Sequence, residues 1–354
     1  LFRSIHVDGV WGVDIDGNRV RRSGGDGIFV GDSFDVSVTD NKVRRSNDNG
    51  IFVKDSFGGI FIDGNNVNHS GDDGIRVEGG FFAPVRMSES SLMDDYWYDV
   101  IVSNNVVNDS GDDGIDVFGA VSSLIDNNNV SNSDDDGIVV TGFPFFYGDS
   151  RMDLEESMPM PMFGTSTVVT NNHVNHSGNN GIEVAAINQS YIGDNNVNDS
   201  GWDGIFVRGD MDRMGGGIGI GLMGEFPPFF GSFYDTTIVD NRVDDSVNNG
   251  ISVQFMNEAY IGSGEVQEGD EGECIMPGLF GNYVTASGNN GIAVGDVFSS
   301  HIEDNHVGYT PFIFAKTLVE GEEEFTGSEN DGILVTDYIN DFGFGFEGEY
   351  PVVM

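Results

Sequence analysis

Residues 105–117 read NVVNDSGDDGIDV, and residues 128–140 read NNVSNSDDDGIVV. Both fit one phrase, N-x-V-x-x-S-x-x-x-G-I-x-V, and the fold follows from how often that phrase returns. Its Asn recurs at Asn18, Asn41, Asn65, Asn105, Asn128, Asn172, Asn195 and Asn241. Its Gly-Ile pair recurs at Gly27-Ile28, Gly50-Ile51, Gly74-Ile75, Gly114-Ile115, Gly137-Ile138, Gly181-Ile182, Gly204-Ile205, Gly250-Ile251, Gly291-Ile292 and Gly332-Ile333. Successive glycines lie 23, 24, 40, 23, 44, 23, 46, 41 and 41 residues apart. The base period is 23, and each long gap is one period plus an insertion. A fixed short period marks a stack of like units.

Two more apolar positions lie five and three residues before each Asn, as at Val13 and Ile15, Val36 and Val38, Ile60 and Ile62, and Val100 and Val102. One period therefore holds three short segments with i, i+2 alternation: V-x-I, N-x-V and I-x-V. That is strand spacing, and no segment shows helical spacing. Each segment is too short to stand alone. Stacked on its counterparts as parallel strands, it satisfies its backbone and buries its alternate side chains. The expected fold is all-β: one right-handed parallel β-helix over residues 1–354, with about ten coils of three strands. Insertion loops are expected at about 78–97, 141–164, 208–233, 267–284 and 308–327, and a C-terminal tail at 336–354. They are rich in Phe, Met and Pro, as in Phe143-Pro144-Phe145-Phe146-Tyr147. In the ninth coil Gly264-x-Val266 is aligned with N-x-V, with Asn282-x-Val284 as the competing choice.

The repeat resembles that of right-handed parallel β-helix proteins of the pectin-lyase-like superfamily. Members include lyases, hydrolases, epimerases, adhesins and inert rods, so the resemblance implies fold more than activity. The pairs Asp72-Asp73, Asp112-Asp113 and Asp135-Asp136 resemble the Gly-Asp-Asp signature of polygalacturonase-like enzymes. Here the pair repeats, and Asn179-Asn180, Asn248-Asn249 and Asn289-Asn290 stand at equivalent places. Turn geometry is the expected reason, because Asn, Asp and Gly interchange where φ is positive. The companion Asn-Thr-Asp, Gly-His-Gly and Arg-x-Lys motifs are missing, so no catalytic residue is carried over.

The composition narrows the partners. Against 59 Asp and Glu stand 15 Lys and Arg, a net charge of −44. Nucleic acid and anionic membrane surfaces are repelled. No apolar run reaches the length of a transmembrane helix. The chain opens at Leu1 without a charged or apolar leader, so any signal peptide is expected to be already removed. The single cysteine, Cys274, excludes a disulfide framework. No cofactor is required by the pattern. Stacked Asp72, Asp73, Asp112, Asp113, Asp135 and Asp136 are the candidate ligands for Ca²⁺, against the alternative of a solvated acidic face. Asn68, Asn108, Asn129, Asn175, Asn188 and Asn198 stand in Asn-x-Ser sequons and are candidate glycosylation sites.

Residues 1–54 carry equal numbers of acidic and basic side chains, so the whole −44 lies beyond them. Arg21-Arg22 and Arg44-Arg45 should stack at one corner of the first coils. The two ends lack recognisable caps. These features lead to the expectation of a non-enzymatic extracellular or cell-surface rod that polymerises head-to-tail with copies of itself. The joint is expected at Leu1, Phe2, Arg21 and Arg22 against Phe342, Phe344, Phe346, Tyr350, Val352 and Val353. The alternatives are a polysaccharide-binding or polysaccharide-cleaving β-helix enzyme and a glycan-binding adhesin, with surface polysaccharide as partner. A non-repeating acid–base cluster would favour the enzyme, and the sequence reading finds none.

Overall fold

The computed structural model describes residues 4–79, 100–119, 122–142, 166–187, 189–209, 235–254, 256, 258–263, 281–295, 297, 299–308 and 332–336. They form a right-handed parallel β-helix with three sheets running along the rod. Sheet A stacks the Gly-Ile-x-Val segments, from Ile5–Asp8 to Ile333–Thr336. Sheet B stacks the V-x-I segments, from Trp11–Asp16 to Ser299–Ile302. Sheet C stacks the N-x-V segments, from Arg19–Ser23 to His306–Val307. Every pairing is parallel and joins equivalent positions of neighbouring coils, as in Ile115↔Ile138 and Val107↔Val130. Ten steps at the usual strand spacing give a rod about 48 Å long.

The interior is built from aliphatic columns. Ile28, Ile51, Ile75, Ile115, Ile138, Ile182, Ile205, Ile251 and Ile292 stack in one inward file, each fully buried at 0 % exposure. Ile333 continues the file and is partly buried. The glycine before each Ile is required by close approach. A Cβ on Gly114 would stand 2.2 Å from Val130 Cγ1 and 2.5 Å from the Gly137 carbonyl oxygen. The serine of the phrase packs into the same gap, so its side chain must also be small. The buried hydroxyls of Ser46, Ser110, Ser133, Ser177, Ser200, Ser246 and Ser287 have no hydrogen-bond partner among the described residues.

The corner from sheet B to sheet C is held by asparagine. Asn18, Asn41, Asn65, Asn105, Asn128, Asn172, Asn195, Asn241, Asn282 and Asn305 form one ladder. At each step the backbone N–H and Nδ2 of one Asn donate to Oδ1 of the next, at 2.8 and 3.1 Å for Asn18 on Asn41 and 3.0 and 3.0 Å for Asn105 on Asn128. Nδ2 also donates back to a carbonyl one coil behind, as Asn128 does to Val102 at 2.8 Å. The residue before the ladder turns the chain with positive φ, as at Asp40 (52°), Asn104 (54°) and Asn127 (53°).

Three details differ from the sequence reading. The ninth coil uses Asn282 and Val284, because Val243 pairs with Val284 and Asn282 joins the ladder. Tyr283–Thr285 is accordingly a strand. Second, Asp72-Asp73 and its counterparts do not have positive φ. That conformation falls before the ladder Asn and, within sheet C, at Arg22, Arg45, His69, Asp109, Asn132, His176, Asp199, Asp245 and Ala286. Third, the outward row of sheet B is apolar over much of its length: Phe61, Ile101, Leu124, Val168, Tyr191, Thr237, Tyr260 and His301 follow one another coil by coil.

Leu1 and Phe2, Asn188, the tail positions Phe342, Phe344, Phe346, Tyr350, Val352 and Val353, and most of each expected insertion loop lie outside the described residues.

Removing a central rung of the ladder should cost more than removing a terminal one. Asn128→Ala strips the acceptor from both Asn105 donors and the donor from Val102 and Asn172. The expected loss is about 3 kcal/mol in chemical denaturation. Asn18→Ala, at the first rung among the described residues, should lose under about 1 kcal/mol. Equal losses would show that the ladder does not carry the corner.

Candidate functional site

The corner from sheet C to sheet A repeats as S-x-x-x-G-I, and its last residue before Gly points into the structure. Asp26, Asn49, Asp73, Asp113, Asp136, Asn180, Asp203, Asn249 and Asn290 form a second ladder there. The backbone N–H of each donates to the side-chain oxygen of the coil before: Asp113 to Asp73 at 3.0 Å, Asp136 to Asp113 at 2.9 Å and Asn180 to Asp136 at 2.7 Å. The direction is opposite to that of the first ladder. This explains the exchange of Asp for Asn at these positions: either residue supplies the accepting oxygen.

Asp73 and Asp136 are 0 % exposed, and Asp203 is 2 % exposed. The preceding residues Asp72, Asp112 and Asp135 are half-buried and reach solvent. Two rows of carboxylates thus run along one corner, one sealed and one accessible. Carboxylate oxygens of Asp72, Asp73 and Asp112 lie within 4.8 Å of one another, and so do those of Asp112, Asp113 and Asp135. Asp112 belongs to both groups. The structure therefore brings together five of the six expected ligands, while Asp136 continues the buried ladder. Each group offers three oxygens, one from each residue. Calcium takes six to eight, so water would have to supply the rest.

Beside this corner lies the outward row of sheet A: His6, Phe29, Phe52, Arg76, Asp116, Val139, Glu183 and Phe206. Its chemistry changes from Phe52 to Arg76, Asp116, Val139 and Glu183 over successive coils. Arg76 donates from Nη1 to Asp73 Oδ2 at 3.0 Å and from Nε to Glu78 at 2.9 Å, and stands 3.7 Å from Asp116 Oδ2. Its guanidinium also lies over the Phe52 ring, 5.8 Å from the centroid. Three coils on, Glu183 is buried and accepts from Asn180 Nδ2 at 3.0 Å and from Arg208 Nη2 at 3.1 Å.

Burial pushes the Asp73 carboxyl up to about 6, against the opposing pull of Arg76 and the Asp113 N–H. Burial likewise pushes Asp203 up to about 6, although Asn249 and Asn248 donate to it. Desolvation opposes the Arg76 charge, but Asp116 and Asp73 outweigh it and raise its pKa. The result is a proton-holding carboxyl beneath accessible carboxylates, with a fixed cation beside them.

The sequons are divided. Asn68, Asn108, Asn175 and Asn198 share one outward row of sheet C with Arg21 and Arg44. Their amides bond along the row: Asn198 donates to Asn175 at 2.7 Å, and Asn108 accepts from Ser131 at 2.5 Å. Asn129 is exposed in a neighbouring row. Arg22 turns the chain in the left-handed conformation beside Arg21.

A family described as a right handed beta helix region matches residues 3–81 and 35–214. The chain belongs to the right-handed β-helix family. No curated protein matches this β-helix in sequence. Among solved structures, it resembles the catalytic unit of a thermostable α-1,3-glucanase from Streptomyces thermodiastaticus, at 14 % identity and a TM-score of 0.50. The match covers 84 % of this chain and 50 % of the glucanase, so the β-helix spans about half the length of that structure. It also resembles the A-module of a mannuronan C-5 epimerase from Azotobacter vinelandii, at 12 % identity and a TM-score of 0.42, over 92 % of this chain and 64 % of the other. A tailspike protein from the Escherichia coli O157:H7 bacteriophage CAB120 matches at 12 % identity and a TM-score of 0.39, over 94 % of this chain and 38 % of the other.

The expectation of a non-enzymatic, head-to-tail filament is corrected by these findings. The glucanase match turns the comparison toward polysaccharide-active proteins. The physical basis is the cluster that the sequence reading lacked. Arg76 with Asp73, Asp116 and Glu78 breaks the repeat, as does Glu183 with Arg208. The signal was present in the variable x of G-I-x-V: Phe52, Arg76, Asp116, Val139, Glu183 and Phe206 put five residue types at six equivalent positions of an otherwise constant strand. Among the described residues no helix is long and apolar enough to cross a membrane.

The raised Asp203 gives a pH dependence of definite sign. Its folded pKa lies above the ordinary carboxylate value, so between about pH 4 and 6 the folded state binds more protons than the unfolded one. Its contribution is complete below pH 4 and is lost as pH rises through 6. Asp203→Asn installs the residue already used at Asn180 and Asn249. It should raise Tm at pH 7.5 by about 2–4 °C and flatten the change between pH 5 and 7.5. A lower Tm at pH 7.5 with an unchanged pH slope would show that Asp203 is stabilised as the anion.

Proposed function

We propose that this β-helix is the substrate-holding and catalytic rod of an extracellular polysaccharide-active enzyme, cleaving glycosidic bonds along the sheet C–sheet A corner. One observation carries the reading: an accessible row, Asp72, Asp112 and Asp135, lies over the sealed Asp73 and Asp113 and beside the Arg76–Asp116 pair. Glycoside hydrolysis needs one carboxyl to protonate the leaving oxygen and a second to act as base or nucleophile. Carboxyls whose surroundings push their pKa values apart can divide those roles. Asp112 is the accessible group common to both clusters and is assigned the role of direct contact with substrate. Asp73 holds a proton to about pH 6 but is fully buried, so a proton from it reaches the substrate only through Asp72 or Asp112. Arg76 positions Asp73 and Asp116 and offsets the charge that collects there.

The glucanase resemblance supports this reading through the fold alone.

The test is release of new chain ends from a panel of neutral and acidic polysaccharides, followed by reducing-end assay and mass spectrometry. Asp112→Asn, which keeps the size of the side chain, should lower turnover at least 100-fold with Tm nearly unchanged. No product from any polysaccharide, or full activity in Asp112→Asn, would overturn the assignment.

A further inference from the structure

We propose that the outward face of sheet B is a binding track for an extended, uncharged polysaccharide strand, separate from the carboxylate corner. Its key residues are two Tyr-Ile-Gly segments, Tyr191–Gly193 and Tyr260–Gly262, which lie two coils apart on either side of Thr237.

In each segment the ring lies toward the following glycine. A Cβ on Gly193 would stand 2.7 Å from Cε1 of Tyr191, and one on Gly262 would stand 3.1 Å from the Tyr260 hydroxyl. Both rings thus lie along the sheet. Tyr191 keeps 38 % of its surface exposed. The Tyr260 ring is fixed further, since its hydroxyl lies 2.8 Å from a Glu303 carboxylate oxygen and 3.0 Å from the Ser263 carbonyl and donates its one proton to either acceptor. Two coils span about 10 Å, the length of a disaccharide in an extended chain. The small Thr237 leaves a dip between the rings. Tyr260 stacks on His301, with centroids 5.5 Å apart and planes at 8°, so the track offers the apolar face of every second sugar the Tyr191 ring and the open side of the Tyr260–His301 stack.

The edge of the track supplies acceptors for sugar hydroxyls. Asp126 accepts from Thr170 at 2.9 Å and Asn171 at 2.8 Å, and Asp63 accepts from Ser103 at 2.7 Å. Charge selects the occupant. No strand of sheet B carries Lys or Arg, apart from Lys54 in the part of Ile51–Asp63 that pairs into sheet A. Among the described residues of the sheet B strands, a polyuronate would meet carboxylates with no Lys or Arg to neutralise it. A second copy would bring another −44 to the same face. A neutral glycan incurs neither repulsion.

The ligand class rests on the polysaccharide reading above, but the track does not depend on Asp112. Affinity electrophoresis separates the two. The full chain is run through gels containing hydroxyethyl cellulose, mixed-linkage β-glucan, dextran or polygalacturonate. At least one neutral glycan should retard it. Tyr191→Ala with Tyr260→Ala should weaken that retardation tenfold or more, while Tyr191→Phe and Tyr260→Phe should retain it. Tyr191→Ala alone leaves the Tyr260–Glu303 contact in place and should show a partial loss, which guards against early melting of the double variant. The track is overturned if no neutral glycan retards the chain, if the Ala variants run as the parent does, or if polygalacturonate retards it equally. A dimer in sedimentation velocity that the Ala variants dissolve would also overturn it, by assigning the face to self-contact. If Asp112→Asn keeps full turnover while the Tyr variants lose retardation, the track stands and only the catalytic assignment falls.

Discussion

A parallel coil can bury its strands only if the corners between them also find hydrogen-bond partners, and here those partners come from the next coil. Sheet pairing satisfies the strand backbone, but a corner N–H has no strand opposite it. On each laddered corner the N–H of the ladder residue is met by a side-chain oxygen one coil away, Asn at the sheet B–C corner and Asp or Asn at the sheet C–A corner, while neighbouring corner N–H groups bond backbone carbonyls of adjacent coils. The donors point backward along the rod at one corner and forward at the other. Each coil is therefore fastened to both neighbours by side chains as well as by strands. This fastening sets the period, because an insertion is tolerated only where it leaves both oxygens in register.

That rule explains which parts were legible in the sequence. The Ile and Val columns follow from a period of two within a period of 23, and the Asn ladder from an Asn that never changes. The ninth coil was harder, because Gly264-x-Val266 preserves the base spacing while Asn282 follows an insertion. The structure chooses Asn282, since only an Asn can accept from Asn241 and donate to the Ile238 carbonyl. The second ladder was misread for a different reason. Asp, Asn and Gly suit a left-handed turn as well as an accepting oxygen, and composition does not separate the two. The positive φ values at Asp40, Asn104 and Arg22, with none at Asp73 or Asp113, separate them.

The functional surfaces were missed because a repeat is found by what stays constant, whereas a ligand is met by what varies. Once the strands are in register, the x of G-I-x-V becomes a physical row, and Phe52, Arg76 and Asp116 become neighbours although 24 and 40 residues separate them. The outward row of sheet B arises in the same way. Tyr191 and Tyr260 are 69 residues apart in the chain and two strands apart in space. Neither arrangement could be read from a single period.

The choice of Asp over Asn on the second ladder bears on what that corner is for. Asn49, Asn180 and Asn249 show that a neutral amide satisfies the same N–H at no charge. Placing carboxylates at the consecutive sealed positions Asp73, Asp113 and Asp136 incurs desolvation and stacks like groups one strand apart. At Asp73 the consequence is a carboxyl pushed up to about 6 by burial, even with Arg76 pulling the other way. A corner built only for stability would use Asn throughout, as the Asn ladder opposite does. The departure occurs under Asp72, Asp112 and Asp135, where the outer row is also acidic and the adjoining strand supplies Arg76. The same choice recurs at Asp203, behind Trp202, where burial also pushes the carboxyl up to about 6, so what distinguishes the middle coils is the pairing of sealed carboxyls with an accessible acidic row and Arg76. It sets the middle coils apart from the eighth and ninth, where the same corner reverts to Asn248-Asn249 and Asn289-Asn290.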